Sequence, residues 1–281
     1  NPRTAWIEAQ DRLEQAPADA EALHALLVAA TRLGEGNLLD DAIERTRATW
    51  AGDAGLRRDG GIALVRRARL DTPPDAAMLK DAATTLAGED GDAGDPAAAL
   101  ELAYARHLLG EAAPAAVAYE RALVAGDDPT GERALRGLAN LAGGNATAAY
   151  RERLEDLAKR HPTSAVVLRH RAIDRAVNDG FPAGIAMLEG AGPVVAASPR
   201  TRVLLAIFLR EVERHAGALG HERAALAAAP HDDEVSNEVE RLWRERRPLA
   251  SFADCDALDR DFGTLLAAVE GDAWRRMAFR N

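Results

Sequence analysis

Residues 96–123 read PAAALELAYARHLLGEAAPAAVAYERAL. Asp95 stands directly before Pro96. That order opens a helix, because the carboxylate can accept the unpaired N–H groups of the first turn and proline fits where its missing N–H is not needed. The run from Pro96 to Leu109 is mostly Ala, Leu and long polar residues, which are strong helix formers. Gly110 then supplies a stop. A second helical run follows, with Ala115, Tyr119 and Ala122 on one face. Two helices this short are marginal alone, so the pair must bury its apolar stripe against a neighbour.

The neighbours are more copies of the same unit. Pro96, Pro129, Pro162, Pro199 and Pro230 stand 33, 33, 37 and 31 residues apart. Their mean spacing of about 34 residues matches the tetratricopeptide period. That family places bulky and small residues as W-x₂-L-G-x₂-Y, then A-x₃-F, then a closing Pro. Leu102 and Ala103 fill the Leu-Gly slots of the quoted unit. In residues 18–34, ADAEALHALLVAATRLG, the corresponding slots hold Leu23, Leu26, Leu27 and Ala30, and Gly34 ends the helix. The second-helix pattern returns in residues 216–230 with Ala218, Ala225 and Pro230, and more weakly in residues 150–162. On these residues the chain resembles the tetratricopeptide repeat (TPR) family. HEAT and Sel1-like hairpin repeats fit the period less well.

Punctuation agrees. Asp128-Pro129 and Ser198-Pro199 repeat the capping dipeptide, and Gly34, Gly110, Gly180 and Gly143-Gly144 supply stops. The pattern predicts an all-α chain of about seven stacked helical hairpins. The resemblance implies that they wind into an α-α superhelix, a right-handed solenoid. The whole of 1–281 reads as one such solenoid. Residues 51–95 are an irregular or degenerate repeat, with Gly60-Gly61 and Pro73-Pro74 against the pattern, and 247–281 are a C-terminal capping segment. The second helix in 181–198 is expected to be short and irregular.

Composition narrows function. The chain is 47% hydrophobic and only 4% aromatic, with net charge −10 and pI about 5.3. An acidic chain lacks the basic field that nucleic-acid binding requires. No apolar run approaches the ~20 residues of a bilayer span, and the single Cys255 allows no intrachain disulfide. The absence of Met at Asn1 and the Ala/Arg-rich composition suggest a bacterial protein of the cytoplasm or periplasm, with a signal or anchor removed before Asn1.

Catalytic constellations are missing. No phosphate-binding glycine loop, HExxH, GxSxG or CxxC occurs. The DFG at 261–263 has none of its kinase partners and reads as a helix end. The seven histidines include no i, i+4 pair, and Cys255 lies between Asp254 and Asp256, whose charges disfavour the thiolate. Residues 90–101 place Asp90, Asp92 and Glu101 at calcium-loop positions. Gly94 and Asp95 break that template, so the stretch reads as an acidic turn. No cofactor and no metal site is expected, and the chain reads as non-enzymatic.

In TPR proteins the first helix of each hairpin lines a ligand groove. Carrying that register over implies a groove of His24, Arg32, His107, Arg136, Asn140, Arg169, Arg200 and Arg210, basic for so acidic a chain. Its ligand would be a protein or peptide partner, an acidic peptide above all, with an anionic polysaccharide also compatible. The same arginines could instead pair with acids on adjacent hairpins. The expected role is a protein–protein interaction scaffold. The alternative is the repeat portion of a larger enzyme or polysaccharide-export machine whose catalytic or membrane part lies elsewhere. Trp274, Met277 and Phe279 would seal the last hairpin or dock a partner.

Overall fold

Side-chain caps fix where the helices begin. In the computed structural model, which describes residues 1–87, 95–125 and 128–246, Asp19 accepts the Ala22 N–H at 3.2 Å and Asp53 that of Leu56 at 3.0 Å. Asp95 accepts from Ala97 and Ala98 at 2.8 and 2.9 Å, as its place before Pro96 predicts. Ser164 and Ser198 do the same for Val167 and Thr201 at 3.4 and 3.3 Å. Each such cap contributes about 1 kcal/mol. At the other end of a helix, Gly34 adopts φ 68°, the left-handed turn that frees the chain to reverse.

Fifteen α-helices and no strand occur among the described residues. They divide into two compact units, residues 1–150 and residues from 151 onward. In the first, α1 (Pro2–Gln15), α2 (Ala20–Leu33), α3 (Gly36–Thr46), α4 (Ala54–Ala68), α5 (Ala76–Ala87), α6 (Pro96–Leu108), α7 (Ala112–Ala125) and α8 (Asp128–Leu141) follow in order. The helix expected after Asp128 includes that residue in its first turn. Helices α2, α4, α6 and α8 pack each on the next as one layer, while α3, α5 and α7 pack behind them as their hairpin partners.

The second unit takes nearly all of α9 (Ala148–Arg160), then α10 (Ala165–Asp179), α11 (Phe181–Gly190), α12 (Gly192–Ala197), α13 (Pro199–Glu211), α14 (His215–Ala228) and α15 (Asp233–Arg246). Here α10, α13 and α15 make the layer, and α11 and α14 back it. The fold is therefore all-α, an α-α solenoid built from stacked hairpins. The short second helix expected in 181–198 is the pair α11 and α12.

Alanine and leucine fill the core. Leu26, Leu27, Leu64, Leu100, Leu135 and Leu138 are fully buried, with Ala30, Ala63, Ala103 and Ala134 between them. Small side chains at those positions let neighbouring helices approach closely. Residues 51–95 contain the hairpin α4/α5, with Gly60 and Gly61 inside α4. A Cβ on Gly60 would overlap the Trp50 ring and one on Gly61 would overlap Leu86. The glycine pair makes room for those two side chains. Gly137 does the same beneath Tyr119, the largest fully buried side chain.

Candidate functional site

Polar side chains join the hairpins in rungs one repeat apart. His24 Nδ1 lies 2.9 Å from Asp59 Oδ2, 35 residues on. Arg66 donates to Glu101 Oε1 at 2.7 Å, again 35 residues on, and Arg133 reaches the same oxygen at 3.3 Å from 32 residues further. In the second unit Arg169, itself buried, donates to Thr201 and Ser198 at 3.2 Å each. Arg200 donates to Asp232 at 3.0 Å across 32 residues and also pairs with Glu234. Arg47–Asp81 and Arg3–Glu35 link hairpins at separations of 34 and 32.

These rungs account for three of the eight groove residues expected from the repeat register. His24, Arg169 and Arg200 each hold the next hairpin. Arg210 instead grips Glu222 across its own hairpin by two bonds of 2.6 and 2.7 Å, with Glu222 wholly buried. His107 also points across its hairpin, its Nδ1 3.2 Å from the Tyr119 hydroxyl and its ring edge-on to that ring. Burial raises the Tyr119 pKa above its ordinary value, so the phenol stays protonated. Arg32, Arg136 and Asn140 are exposed, and neither arginine has an ion pair among the described residues.

A different set gathers along α4, α6 and α8 of the first unit's layer. Arg69 and Arg133 lie with their guanidinium carbons 5.1 and 5.6 Å from the centre of the Tyr104 ring. Tyr104 in turn meets Tyr119 edge-on at 5.6 Å. Arg69 and Arg133 converge on this half-buried tyrosine, Arg66 shares Glu101 with Arg133, and Arg136 follows one turn along α8. Among the described residues the carboxylate joined to the cluster is Glu101, which is 3% exposed and bonded by Arg66 and Arg133. Stacked guanidiniums retain donors at their edges, suited to carboxylates in a two-pronged geometry. Sequence reasoning missed Arg66, Arg69, Tyr104 and Arg133. Their signal was the pairs at i, i+3 (Arg66/Arg69, Glu101/Tyr104, Arg133/Arg136) set one repeat apart.

The second unit holds a cavity of about 280 Å³ where α9, α10 and α11 meet. Pro162, Val167, Leu168 and Met187 give it apolar walls, and His161, Ser164 and Arg171 are its polar members. Burial, helped by the neighbouring Arg160, holds the His161 imidazole below its usual pKa.

Among the described residues no three His, Cys, Asp or Glu side chains are placed to hold a metal ion. No helix among them is long and apolar enough to cross a membrane. Asp90 and Asp92, Cys255, the DFG at 261–263, and Trp274, Met277 and Phe279 lie outside the described residues.

Neither a family model nor a curated protein sequence matches this chain. Among solved structures it is similar to a chain in the crystal structure of the APC/C hetero-tetramer Cut9–Hcn1, with 13% sequence identity and a TM-score of 0.42. That match covers 98% of this chain and 51% of the other, so the chain spans about half the length of the solved chain it matches.

Proposed function

We propose that this chain is a non-enzymatic interaction scaffold and that α4, α6 and α8 of its first unit bind an acidic peptide. The observation that carries the reading is the Arg69–Tyr104–Arg133 stack with Arg66 and Arg136 beside it. In a chain of net charge −10, this patch carries several guanidiniums against one ion-paired carboxylate among the described residues, Glu101. Aromatic and arginine side chains are the residue types that concentrate binding energy at interfaces. Arg32 and Asn140, exposed on α2 and α8, would extend the same face. His24 and His107 in the first unit, and Arg169, Arg200 and Arg210 in the second, are engaged in contacts that hold helices and hairpins together.

The test is binding of a fluorescein-labelled peptide rich in Asp and Glu, read by anisotropy at low and high salt. The Arg69→Glu/Arg136→Glu double variant changes two exposed residues with no ion pair among the described residues, so helicity should be unchanged. It should bind at least about tenfold more weakly, and wild-type affinity should fall with salt. Equal affinity of the variant and the wild type, or binding indifferent to salt, would overturn the assignment.

A further inference from the structure

We propose that the cavity between α9, α10 and α11 is a binding site for a small monocarboxylic acid with an apolar body. It lies in the second unit and does not depend on the peptide-binding role.

The cavity lies beside the end of a short second helix. Helix α11 has 10 residues, whereas α7 and α14 have 14 each. It ends at Gly190, and the next residue, Ala191, carries only a methyl group. A Cβ placed on Gly190 would meet nothing within 4 Å, so the end of α11 opens onto free space. The cavity volume of about 280 Å³ equals that of about nine waters at about 30 Å³ each. It sits at the small end of ligand pockets, which begin near about 300 Å³.

The lining chooses the ligand. Val167, Leu168, Met187 and Pro162 offer hydrocarbon and thioether surface to an apolar body. Arg171 is the charged residue in the wall. Its Nε and Nη2 hold Glu155 at 3.1 and 2.7 Å, which leaves Nη1 to point its donors elsewhere. With the His161 imidazole held toward its neutral form by burial, Arg171 is the wall's one fixed positive charge. One cation beside the apolar wall of Pro162, Val167, Leu168 and Met187 selects one anionic group on an apolar body. Glu155 shares the guanidinium and so competes with the guest. Removing its charge should therefore tighten binding.

The chain contains three methionines, Met78, Met187 and Met277. A ¹³C-methyl-methionine NMR spectrum of the full chain therefore gives a site-specific reading, with Met187 assigned by Met187→Leu. The probe is 3-phenylpropionate, with 3-phenylpropan-1-ol as its uncharged counterpart. The Met187 methyl should shift with the acid and saturate at millimolar concentration or below, while Met78 stays in place. Arg171→Gln should weaken binding on the order of tenfold. Glu155→Gln should strengthen it, and Gly190→Leu, which fills the cavity from an unobstructed position, should abolish it with helicity intact. A Met187 signal unmoved by the acid would overturn the proposal. So would an alcohol that binds as tightly as the acid, or Arg171→Gln binding like wild type.

Discussion

Gly60 occupies the interior of α4, where glycine ordinarily costs about 1 kcal/mol relative to alanine. Helix propensity alone would make Gly60→Ala stabilising. Packing reverses the sign. The added Cβ would lie closer than 3.0 Å to three atoms of the Trp50 indole. That ring is 6% exposed and tethered by its Nε1–H to Thr46 Oγ1 at 3.0 Å, and Thr46 is itself buried and bonded to the Ala42 carbonyl at 2.8 Å. Room can be made only by moving the ring and straining that hydrogen bond. Overpacking of this kind costs about 1–3 kcal/mol, and a lost hydrogen bond costs about 1 kcal/mol more. Against the propensity gain, the net loss should be about 1–3 kcal/mol. Gly220 in α14 is the matched control, since an added Cβ there meets nothing within 4 Å. Gly220→Ala should gain about 0.5–1 kcal/mol. Far-UV circular dichroism during thermal and urea unfolding reads both, with about 2–4 °C in Tm per kcal/mol for a chain of this size. If Gly60→Ala proves as stable as Gly220→Ala, then close packing does not explain the glycine in α4.

Two further outcomes are expected. Arg210→Ala leaves Glu222 wholly buried without its partner, and should cost about 3–5 kcal/mol. Arg210→Met with Glu222→Leu removes both charges and should cost far less, so equal urea midpoints for the single and double variants would sink the idea of a stranded charge. Burial, aided by the nearby Arg160 and Arg202, lowers the pKa of His161 and His221 below 6.5. The folded state thus favours the neutral rings, and the unfolded chain takes up protons first as pH falls. The stability they confer is complete above pH 6.5 and is lost as pH drops below it. Urea unfolding at pH 7 and near pH 5 should show a smaller acid loss in His161→Gln/His221→Gln than in wild type. Asp19, Asp53 and Asp232, all lowered from 3.8, act in a more acid range. An unchanged loss in the double variant would show that the imidazoles are not its source.

The hairpins were legible because their boundaries are chemical events. A carboxylate or hydroxyl before proline and a glycine after the last Leu or Ala are local signals, and they placed α2, α6 and α13 closely. The hairpin α4/α5 was obscured by the opposite circumstance. Gly60-Gly61 carries the appearance of a break, and only the positions of Trp50 and Leu86, distant in sequence or on another helix, explain it as a packing surface. The cavity was hidden for a related reason. A short α11 was expected, but the space beside its end depends on which side chains of α9 and α10 face it.

The site residues divide along a line that the repeat period itself could draw. A basic residue on the layer helices is drawn into a rung when an acceptor lies one repeat away. His24 has Asp59 at that distance and Arg200 has Asp232, and both are taken. Arg32 has Leu64, Val65, Arg66 and Arg67 at separations of 32 to 35, none of them an acceptor side chain, and it remains exposed. Arg169 shows the limit of counting only acids, because its acceptor is the Thr201 hydroxyl. Arg210 finds Glu222 only 12 residues away, across its own hairpin. A family register identifies the face on which a residue stands. Whether its charge is left for a partner is decided by what the neighbouring repeat offers at the same height. At Arg66, Arg69 and Arg133 the described neighbours offer a tyrosine and a single buried glutamate. Several guanidiniums sharing one carboxylate leave positive charge in excess, and that excess is what an acidic partner would meet.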